Sequence, residues 1–338
     1  MESFLRCYLD CFNKLPRNSL HDRRKRQHVV DYISTLIEGC SKVEKDSDES
    51  AIEAIKTILK YHQENKDDNG KVCMMGRYHN ILYVAVKLCF DWQIKDAATV
   101  TMLLDEIYKC EKTFERILIG AIFGNKAPHY IAGWKSDFDS EEENIRAVVY
   151  FLDKANRAQF NLFLDFNPKE ENFRFIDLPI ESCGKASPLK ICLQLGLPDK
   201  LLIFLRFGAK IYTQNEDITL FEHILNRLLE FNHVYPYNLV ACLQLLLRAV
   251  TRIKIDKPND ISQESYQLLL EKMYERYFDL IQDGLIPPER CGISPPQLKH
   301  ICRCVIRDRL WENYQLPDGI RSLPVPEQLW RYLDLLED

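Results

Sequence analysis

The chain has 338 residues, a length typical of about two domains with a sizeable buried core. Its 45 Lys and Arg residues against 50 Asp and Glu residues give a net charge of −5, which disfavours nucleic acid or an anionic membrane as partner. Hydrophobic residues at 46% and charged residues at 28% exclude fibrous and disordered classes. Composition therefore predicts a folded, soluble and mainly helical protein and leaves its function open.

The N-terminal sequence predicts an intracellular protein. Acidic residues at Glu2 and Asp10 interrupt it, so it lacks the basic and apolar regions of a signal peptide. Apolar runs such as Ile81–Val86 are far shorter than the ~20 residues of a membrane-spanning helix. The 12 cysteines form no CxxC pair and are expected to be mostly buried thiols. The expected location is the cytoplasm, with the nucleus as an alternative.

Residues 1–69 are predicted to form an N-terminal helical region. Apolar residues recur at helical spacing in residues 4–12 and again in residues 29–37, which indicates a helical pair. Between the two helices, Arg23–Arg26 is interpreted as a solvated turn, with a nuclear localisation or acid-binding patch as the alternative. Lys42–Ser50 and Gln63–Gly70 are polar and are predicted to be loops on either side of a third helix.

From about Tyr78 to Leu280, helix-length apolar patterns alternate with short polar breaks, and strand signals are scarce. Ser140 and Glu143 have the spacing of a capping box, so the acidic run around them is interpreted as a helix start rather than a metal site. Paired helices in succession predict an all-α solenoid.

One helix pair has clear start and stop signals. Ser187 is a predicted cap for a helix that ends at Gly196, and Pro198 begins a second helix that closes at Gly208. This segment resembles one ankyrin repeat, with its best extent at 183–215.

The ankyrin resemblance is degenerate. Lys190 replaces the usual histidine, and Cys192 and Leu193 replace two small alanines, which weakens the expectation of close stacking. A poorer unit of the same kind covers residues 83–104. Because one repeat cannot bury its own faces, about three or more are expected, and residues 70–290 are assigned to an ankyrin-like helical domain.

The C-terminal region begins with a predicted capped helix. Ser294 and Gln297 have capping-box spacing, so the helix is expected to start at Ser294, with Lys299, Arg303 and Arg307 facing outward. Its apolar stripe follows the spacing i, i+3, i+4, i+7 and i+8. The stripe consists of Leu298, Ile301, Cys302, Val305 and Ile306, with Leu310 one turn beyond.

An extended tract and a last helix follow this stripe. Pro317–Gly319 predicts a turn, and Leu323–Pro326 predicts an extended, proline-flanked segment. The final helix is expected to place four apolar side chains on one side. These are Leu329, Tyr332, Leu333 and Leu336.

The order of these pieces resembles a SOCS box, and the chain with its repeat resembles the ankyrin repeat and SOCS box proteins. The resemblance implies that the first helix binds elongin C through Leu298, Ile301, Cys302, Val305 and Ile306. It implies that the later tract binds cullin-5 through Leu323, Pro324, Pro326, Leu329, Tyr332 and Leu333. The resemblance implies a small residue or a proline directly before Leu298, and Gln297 departs from this. A modest loss of elongin affinity is therefore expected. Residues 291–338 are therefore assigned to a three-helix SOCS box.

This resemblance implies a non-catalytic substrate-recognition subunit of an elongin B, elongin C, cullin-5 and RING ubiquitin ligase. The alternative is an ankyrin-type interaction scaffold whose tail packs on its own chain. The protein substrate and its binding residues stay unknown, because a solenoid can bind through any exposed side chains. Phe90, Trp92 and Trp134 are surface candidates, although aromatics at helical spacing are more often core residues.

Neither a metal site nor an enzyme is expected. Cys291, His300, Cys302 and Cys304 have the residue types of a zinc site, but residues i and i+2 of a helix point roughly 200° apart, and no CxxC or HxxxH pair occurs. The sequence also contains no GxSxG elbow, phosphate-binding loop, HExxH motif or dinucleotide-binding turn. We therefore expect no catalytic residue, cofactor or metal.

Overall fold

The structure is a computed structural model that describes residues 2–13, 20–41, 47–66, 79–127, 136–163, 172–212, 219–254, 271 and 273–338. These residues are almost all helical, which confirms the predicted all-α class. They form two compact units, Met1–Lys185 and Ala186–Asp338. The predicted boundaries at 69/70 and 290/291 follow sequence pattern rather than compactness, and they stay a prediction.

Unit 1 contains seven helices among its described residues, followed by a small antiparallel strand pair. The strands β1 (Asn161–Phe163) and β2 (Asn172–Arg174) pair Leu162 with Phe173. The helices are α1 (Glu2–Asn13), α2 (Leu20–Ser41), α3 (Ser47–Asn65), α4 (Asn80–Asp91), α5 (Ala97–Glu111), α6 (Glu115–Phe123) and α7 (Glu141–Arg157). Short 3-10 turns lie at Gly124–Lys126, Phe175–Asp177 and Glu181–Cys183.

The helices of unit 1 contact both their neighbours and their next neighbours in the chain. α2 packs on α3 and α4, α3 packs on α4 and α5, and α5 packs on α7. This is the contact pattern of stacked helix pairs, and it agrees with the predicted solenoid. The predicted cap at Ser140 is confirmed, since its Oγ accepts a hydrogen bond from the Glu143 amide at 3.0 Å. The Glu143 carboxylate in turn accepts a hydrogen bond from the amide of Asp139 at 2.9 Å.

Two polar segments of unit 1 differ from the prediction. The loop expected at Lys42–Ser50 ends earlier, because Ser47 already begins α3, where Asp48 and Glu49 complement the helix dipole. α3 also continues through Gln63 to Asn65, although a loop was expected there. Lys66 directly follows α3. The remaining residues of the two expected loops, 42–46 and 67–70, lie outside the described residues.

The basic run Arg23–Arg26 is not a solvated turn, because it lies inside α2. The Arg26 guanidinium is largely buried and donates two hydrogen bonds to Asp137 Oδ1, at 2.6 and 2.8 Å. A buried charge requires a partner, and this pair fixes α2 to the segment before α7. The solvated-turn interpretation was therefore wrong, at least for Arg26.

Unit 2 contains eight helices with defined bounds, and its described residues 271 and 273–276 are also helical. The eight helices are α8 (Pro188–Leu195), α9 (Pro198–Arg206), α10 (Leu220–Leu229), α11 (Tyr237–Ala249), α12 (Phe278–Gln282), α13 (Pro288–Cys291), α14 (Leu298–Glu312) and α15 (Gln328–Leu333). A 3-10 turn at Asp318–Ser322 lies between α14 and α15.

The ankyrin-like signals of unit 2 have the predicted geometry. Ser187 Oγ accepts a hydrogen bond from the Lys190 amide at 3.3 Å, and Gly196 caps α8 in the left-handed conformation. The pair α8 and α9 stacks on the next pair, because α8 contacts α10 and α9 contacts α11. The sequence identified only the first of these pairs with any clarity.

The described cysteines are free thiols, and most are buried, as expected. Cys7, Cys11 and Cys302 are the exposed ones in this part of the chain. Phe90 is a core residue, and half-buried Trp92 donates its indole hydrogen bond to Ser34. Trp134 lies outside the described residues. No helix of the described segments is long and apolar enough to span a bilayer.

Candidate protein-binding site on the C-terminal helices

α14 begins later than the sequence predicted. Its first residue is Leu298, and Gln297 is an extended N-cap without a side-chain cap bond. The expected start at Ser294 is therefore wrong. The physical reason lies in Pro295 and Pro296, because a residue that precedes a proline is held away from the helical region.

One face of α14 carries apolar side chains into solvent. Leu298 is 74% exposed and Val305 is 52% exposed, and Cys302 between them is also exposed. Ile301 and Ile306 flank this row and are half buried. We call these five residues the apolar stripe. The structure thus brings together on one helix face all five residues predicted to bind elongin C, and the contact itself stays a prediction.

The opposite face of α14 is buried and unexpectedly cationic. Arg303 and Arg307, which were expected to face outward, are both buried. Arg307 donates hydrogen bonds to the carbonyl oxygens of Leu333 at 2.9 Å and Leu205 at 2.5 Å. These carbonyls lie in the last turns of α15 and α9, where a helix leaves its own carbonyls without partners. The outward prediction failed because hydrophobic periodicity ignores this demand for donors.

Arg303 likewise donates hydrogen bonds from the buried face of α14, here to the last residues of the chain. It donates to the carbonyl oxygen of Glu337 at 3.0 Å and to His300 Nδ1 at 2.9 Å. Its guanidinium carbon also lies 4.1 Å from the ring centroid of Tyr332, and Lys299 Nζ lies 4.0 Å from that centroid. Tyr332 is therefore held by two cations from α14, each in cation–π contact with its ring.

Buried His300 is held in one neutral tautomer. Its Nε2 donates to the carbonyl oxygen of Val250 at 2.7 Å, while Nδ1 accepts from Arg303. Burial lowers the pKa of His300 to about 4, and Arg290 and Arg303 add to this effect against the hydrogen bond to Val250 and the charge of Asp338. A proton on His300 Nδ1 would face the N–H group that Arg303 donates and would break this hydrogen bond.

The pKa of His300 predicts a loss of stability in mild acid. The ordinary value is 6.5 and the folded value about 4, so between these values the unfolded chain binds the extra proton. At ~1.4 kcal/mol per pKa unit, His300 lowers the free energy of unfolding by up to about 3 kcal/mol as pH falls from 6.5 to 4. Urea unfolding of wild type and His300→Gln across this range checks the prediction. An equal slope for the two proteins would contradict it.

The proline tract after α14 alternates between core and solvent. Leu323 and Val325 pack partly against a buried cluster of Leu310, Leu316, Ile320 and Leu333. Pro324 and Pro326 are exposed. The predicted extended conformation is not kept throughout, because the Val325 amide donates to the Leu323 carbonyl oxygen at 2.8 Å and closes a tight turn at Pro324. The two prolines are the accessible part of the tract.

The six residues predicted to bind cullin-5 therefore differ in accessibility. Pro324 and Pro326 are exposed, Leu323 and Leu329 are half buried, and Tyr332 and Leu333 are buried. Their contact with cullin-5 stays a prediction. Leu336 was expected on the last helix, but α15 ends at Leu333, and Leu335 with its left-handed backbone follows.

Two further arginines that sequence reasoning missed fix the end of the chain. Arg206 of α9 donates two hydrogen bonds to Asp334 Oδ2, at 2.6 and 2.9 Å. Arg248 of α11 makes a two-bond contact with the Asp338 carboxylate and also donates to the Leu335 carbonyl oxygen at 3.0 Å. Only a weak signal in the sequence points to this contact: arginines on earlier helices and acidic residues at the end of the chain.

The cysteine and histidine set of this region does not converge. Cys304 Sγ lies 3.6 Å from His300 Nε2, but Cys302 lies on the exposed face of the helix. This is the divergence that helical geometry predicts for residues i and i+2. His300 Nε2 is instead committed to the Val250 carbonyl.

Comparison with known proteins assigns the same region. A family model described as "SOCS box" matches residues 294–334. Ankyrin repeat and SOCS box protein 17 from human is 51% identical over 42 residues, which cover 12% of this chain and 14% of that protein. The mouse protein of the same name is 45% identical over 58 residues, which cover 17% of this chain and 19% of its own length.

The matched part is thus less than a fifth of the length of these relatives. No solved structure matches the chain. The matched residues contain the exposed apolar stripe, the proline tract and the buried arginines of α14.

Proposed function

We propose that this chain, whose residues 294–334 match a SOCS box and which resembles ankyrin repeat and SOCS box proteins there, is the substrate-recognition subunit of a ubiquitin ligase. In this proposal the ligase contains elongin B, elongin C, cullin-5 and a RING partner. The observation that carries the proposal is the apolar stripe. Leu298, Cys302 and Val305 stay exposed on a helix whose other face is fully occupied by its own unit.

The exposed stripe has the form of a helix-in-groove ligand. Leu298, Cys302 and Val305 follow the spacing i, i+4, i+7, which presents one row of side chains to a partner. Burying a side chain of this size contributes roughly 1.5–3 kcal/mol. Cys302 is small, so it permits a close approach between α14 and elongin C, while Leu298 fills the deepest part of the groove.

The second part of the proposal concerns cullin-5. Pro324 and Pro326 would contact it directly, because their rings are exposed and a proline loses little conformational entropy on binding. Buried Tyr332 and Leu333 would act on cullin-5 indirectly, by holding the tract against the cluster below it.

The proposed mechanism is proximity. The receptor holds a lysine of its protein substrate near a ubiquitin-charged enzyme and so raises their effective concentration. Bond formation takes place on the other subunits, and the receptor itself is non-catalytic. The location proposed for this work is the cytoplasm, with the nucleus as the alternative.

Coexpression with elongin B, elongin C and cullin-5 tests the proposal. We expect the 338-residue chain to copurify with all three as one complex on size exclusion. We also expect it to be poorly soluble when expressed alone, since the apolar stripe is then uncovered. A soluble monomer that ignores the elongins would overturn the proposal.

The exposed prolines give a prediction that separates cullin-5 from the elongins. Pro324→Ala with Pro326→Ala is expected to weaken cullin-5 binding by about tenfold or more, because two rigid contacts are lost. Elongin B and C should copurify undiminished, which serves as the internal control. Titration of cullin-5 onto the purified elongin complex measures the effect. Unchanged cullin-5 affinity would remove this tract from the interface.

The second candidate is a scaffold that recruits no ligase. The observation that favours it is the inner face of α14, whose Arg307 and Leu310 are committed to the chain's own unit. A scaffold of this kind gains nothing from an exposed stripe, so the copurification above distinguishes the two candidates.

A further inference from the structure

Unit 1 contains a buried group of side chains that the proposed receptor role does not use. His62 lies on α3, His79 lies directly before α4, and Cys110 lies on α5. All three are buried, with at most 3% of each residue exposed. One donor atom from each lies within 4.8 Å of the other two. Three segments far apart in the chain therefore bring two imidazoles and one thiol to a single point.

The separation of two of these donors matches a tetrahedral metal site. His62 Nε2 lies 3.5 Å from Cys110 Sγ. Zinc bonds of about 2.3 Å to sulfur and about 2.0–2.1 Å to nitrogen, at a tetrahedral angle, place the two donors about 3.5 Å apart. The donor atom of His79 lies within 4.8 Å of the other two, so a side-chain adjustment would complete the set.

His79 has a nitrogen that the surrounding protein leaves unused. Its Nε2 is in hydrogen-bond contact with Glu111 Oε1, and its Nδ1 is buried without a hydrogen-bond partner among the described residues. A buried imidazole nitrogen without a partner costs free energy, and a metal ion would supply that partner.

Each histidine also has a carboxylate on its other nitrogen. Glu106 Oε1 lies 2.9 Å from His62 Nδ1, and Glu111 takes the corresponding position at His79. Tyr83 donates to both oxygens of Glu111 at 2.7 Å, so this carboxylate is itself held in place. Carboxylate–histidine pairs of this kind fix the tautomer and orientation of metal-binding histidines.

We propose that His62, His79 and Cys110 bind one Zn²⁺ ion, with water in the fourth position. Imidazole and thiolate donors together favour zinc over magnesium or calcium, which take oxygen ligands. The role of the ion is structural, because all three ligand side chains are buried among the residues that the structure describes. It joins α3, the start of α4 and α5, and so stabilises the helix stack of unit 1. No residue spacing in the chain reveals this set, since its members are spread over three elements.

Metal analysis of the purified 338-residue chain tests the proposal. Prepared without chelator, wild type should contain about one zinc per chain by mass spectrometry. Cys110→Ser should lower zinc occupancy at least tenfold. Cys89→Ser is the matched control, because Cys89 is equally buried in α4 and lies outside the group, and it should keep wild-type zinc. Wild type without zinc, or Cys110→Ser with a full equivalent, would overturn the proposal.

A cobalt titration keeps the test decisive if Cys110→Ser does not fold. Apo wild type should bind Co²⁺ with a thiolate-to-cobalt charge-transfer band and the strong visible bands of a tetrahedral site. Glu111→Gln removes no ligand, but it should weaken Co²⁺ binding 10–100-fold because it alters the hydrogen bond to His79. A wild type without these bands, or a Glu111→Gln variant of unchanged affinity, would overturn the proposal as surely as missing zinc.

Discussion

Leu298→Asp is expected to abolish elongin C binding while leaving the fold intact. In the free chain Leu298 is 74% exposed and is the first residue of α14, where a carboxylate is favourable toward the helix dipole. In the proposed complex the leucine loses its burial, about 2 kcal/mol, and the carboxylate costs at least as much again on desolvation. The combined loss of about 4 kcal/mol corresponds to about a thousandfold in affinity.

Binding to purified elongin B and C by titration calorimetry measures this effect. Val234→Asp is the matched control, because Val234 is 79% exposed in the same unit and lies outside the stripe. It should bind as wild type does. The thermal midpoint of Leu298→Asp should equal or exceed that of wild type. Full elongin affinity in Leu298→Asp would remove α14 from the interface.

The largest stability effect is expected at Arg307. Replacement by methionine keeps much of the side-chain volume but removes the donors to the carbonyl oxygens of Leu333 and Leu205. A hydrogen bond from a charged donor contributes about 1.5–3 kcal/mol, and less at Leu205, whose carbonyl oxygen keeps its hydrogen bond from the Gly208 amide. Part of the loss is offset because a buried charge is also removed. Burial already lowers the pKa of Arg307 to about 10, which shows how strongly this site disfavours the charge. The expected loss in the free energy of unfolding is about 2–4 kcal/mol.

Urea unfolding of Arg307→Met against Arg309→Met measures this loss. Arg309 lies on the same helix, its side chain is 75% exposed, and its exposed contact with Glu312 contributes little. Arg309→Met is therefore expected to change stability by less than about 0.5 kcal/mol. Equal stability of the two variants would mean that the carbonyl contacts of Arg307 contribute nothing net.

Local signals in the sequence were reliable at two helix starts and failed at a third, where Ser294 with Gln297 does not cap α14. Ser187 with Gly196 and Ser140 with Glu143 marked helix ends correctly, because the cap and its target are neighbours in the chain. The apolar stripe was found for the same reason, since its spacing depends on helical geometry alone.

Contacts over long distances in the chain could not be predicted. Arg303 and Arg307 look like solvent-facing residues on a helical wheel, and only the folded chain shows the carbonyls they serve. Arg26 and Asp137, and the three members of the proposed zinc site, also meet only through tertiary packing. Pattern reasoning ranks residues by periodicity, whereas buried polar groups are placed by partners from other elements.

The contact between Gly208 and Trp311 has a practical consequence for experiments that seek the protein substrate. A Cβ at Gly208 would lie 2.5 Å from Trp311 Cδ1, so the end of the ankyrin-like pair packs closely against α14. Cutting the chain before α14 would remove Trp311 and leave the α9 end bare. In the proposed receptor, the 338-residue Leu298→Asp variant avoids this damage, because it would break the elongin C contact at the surface and keep α14 against α9.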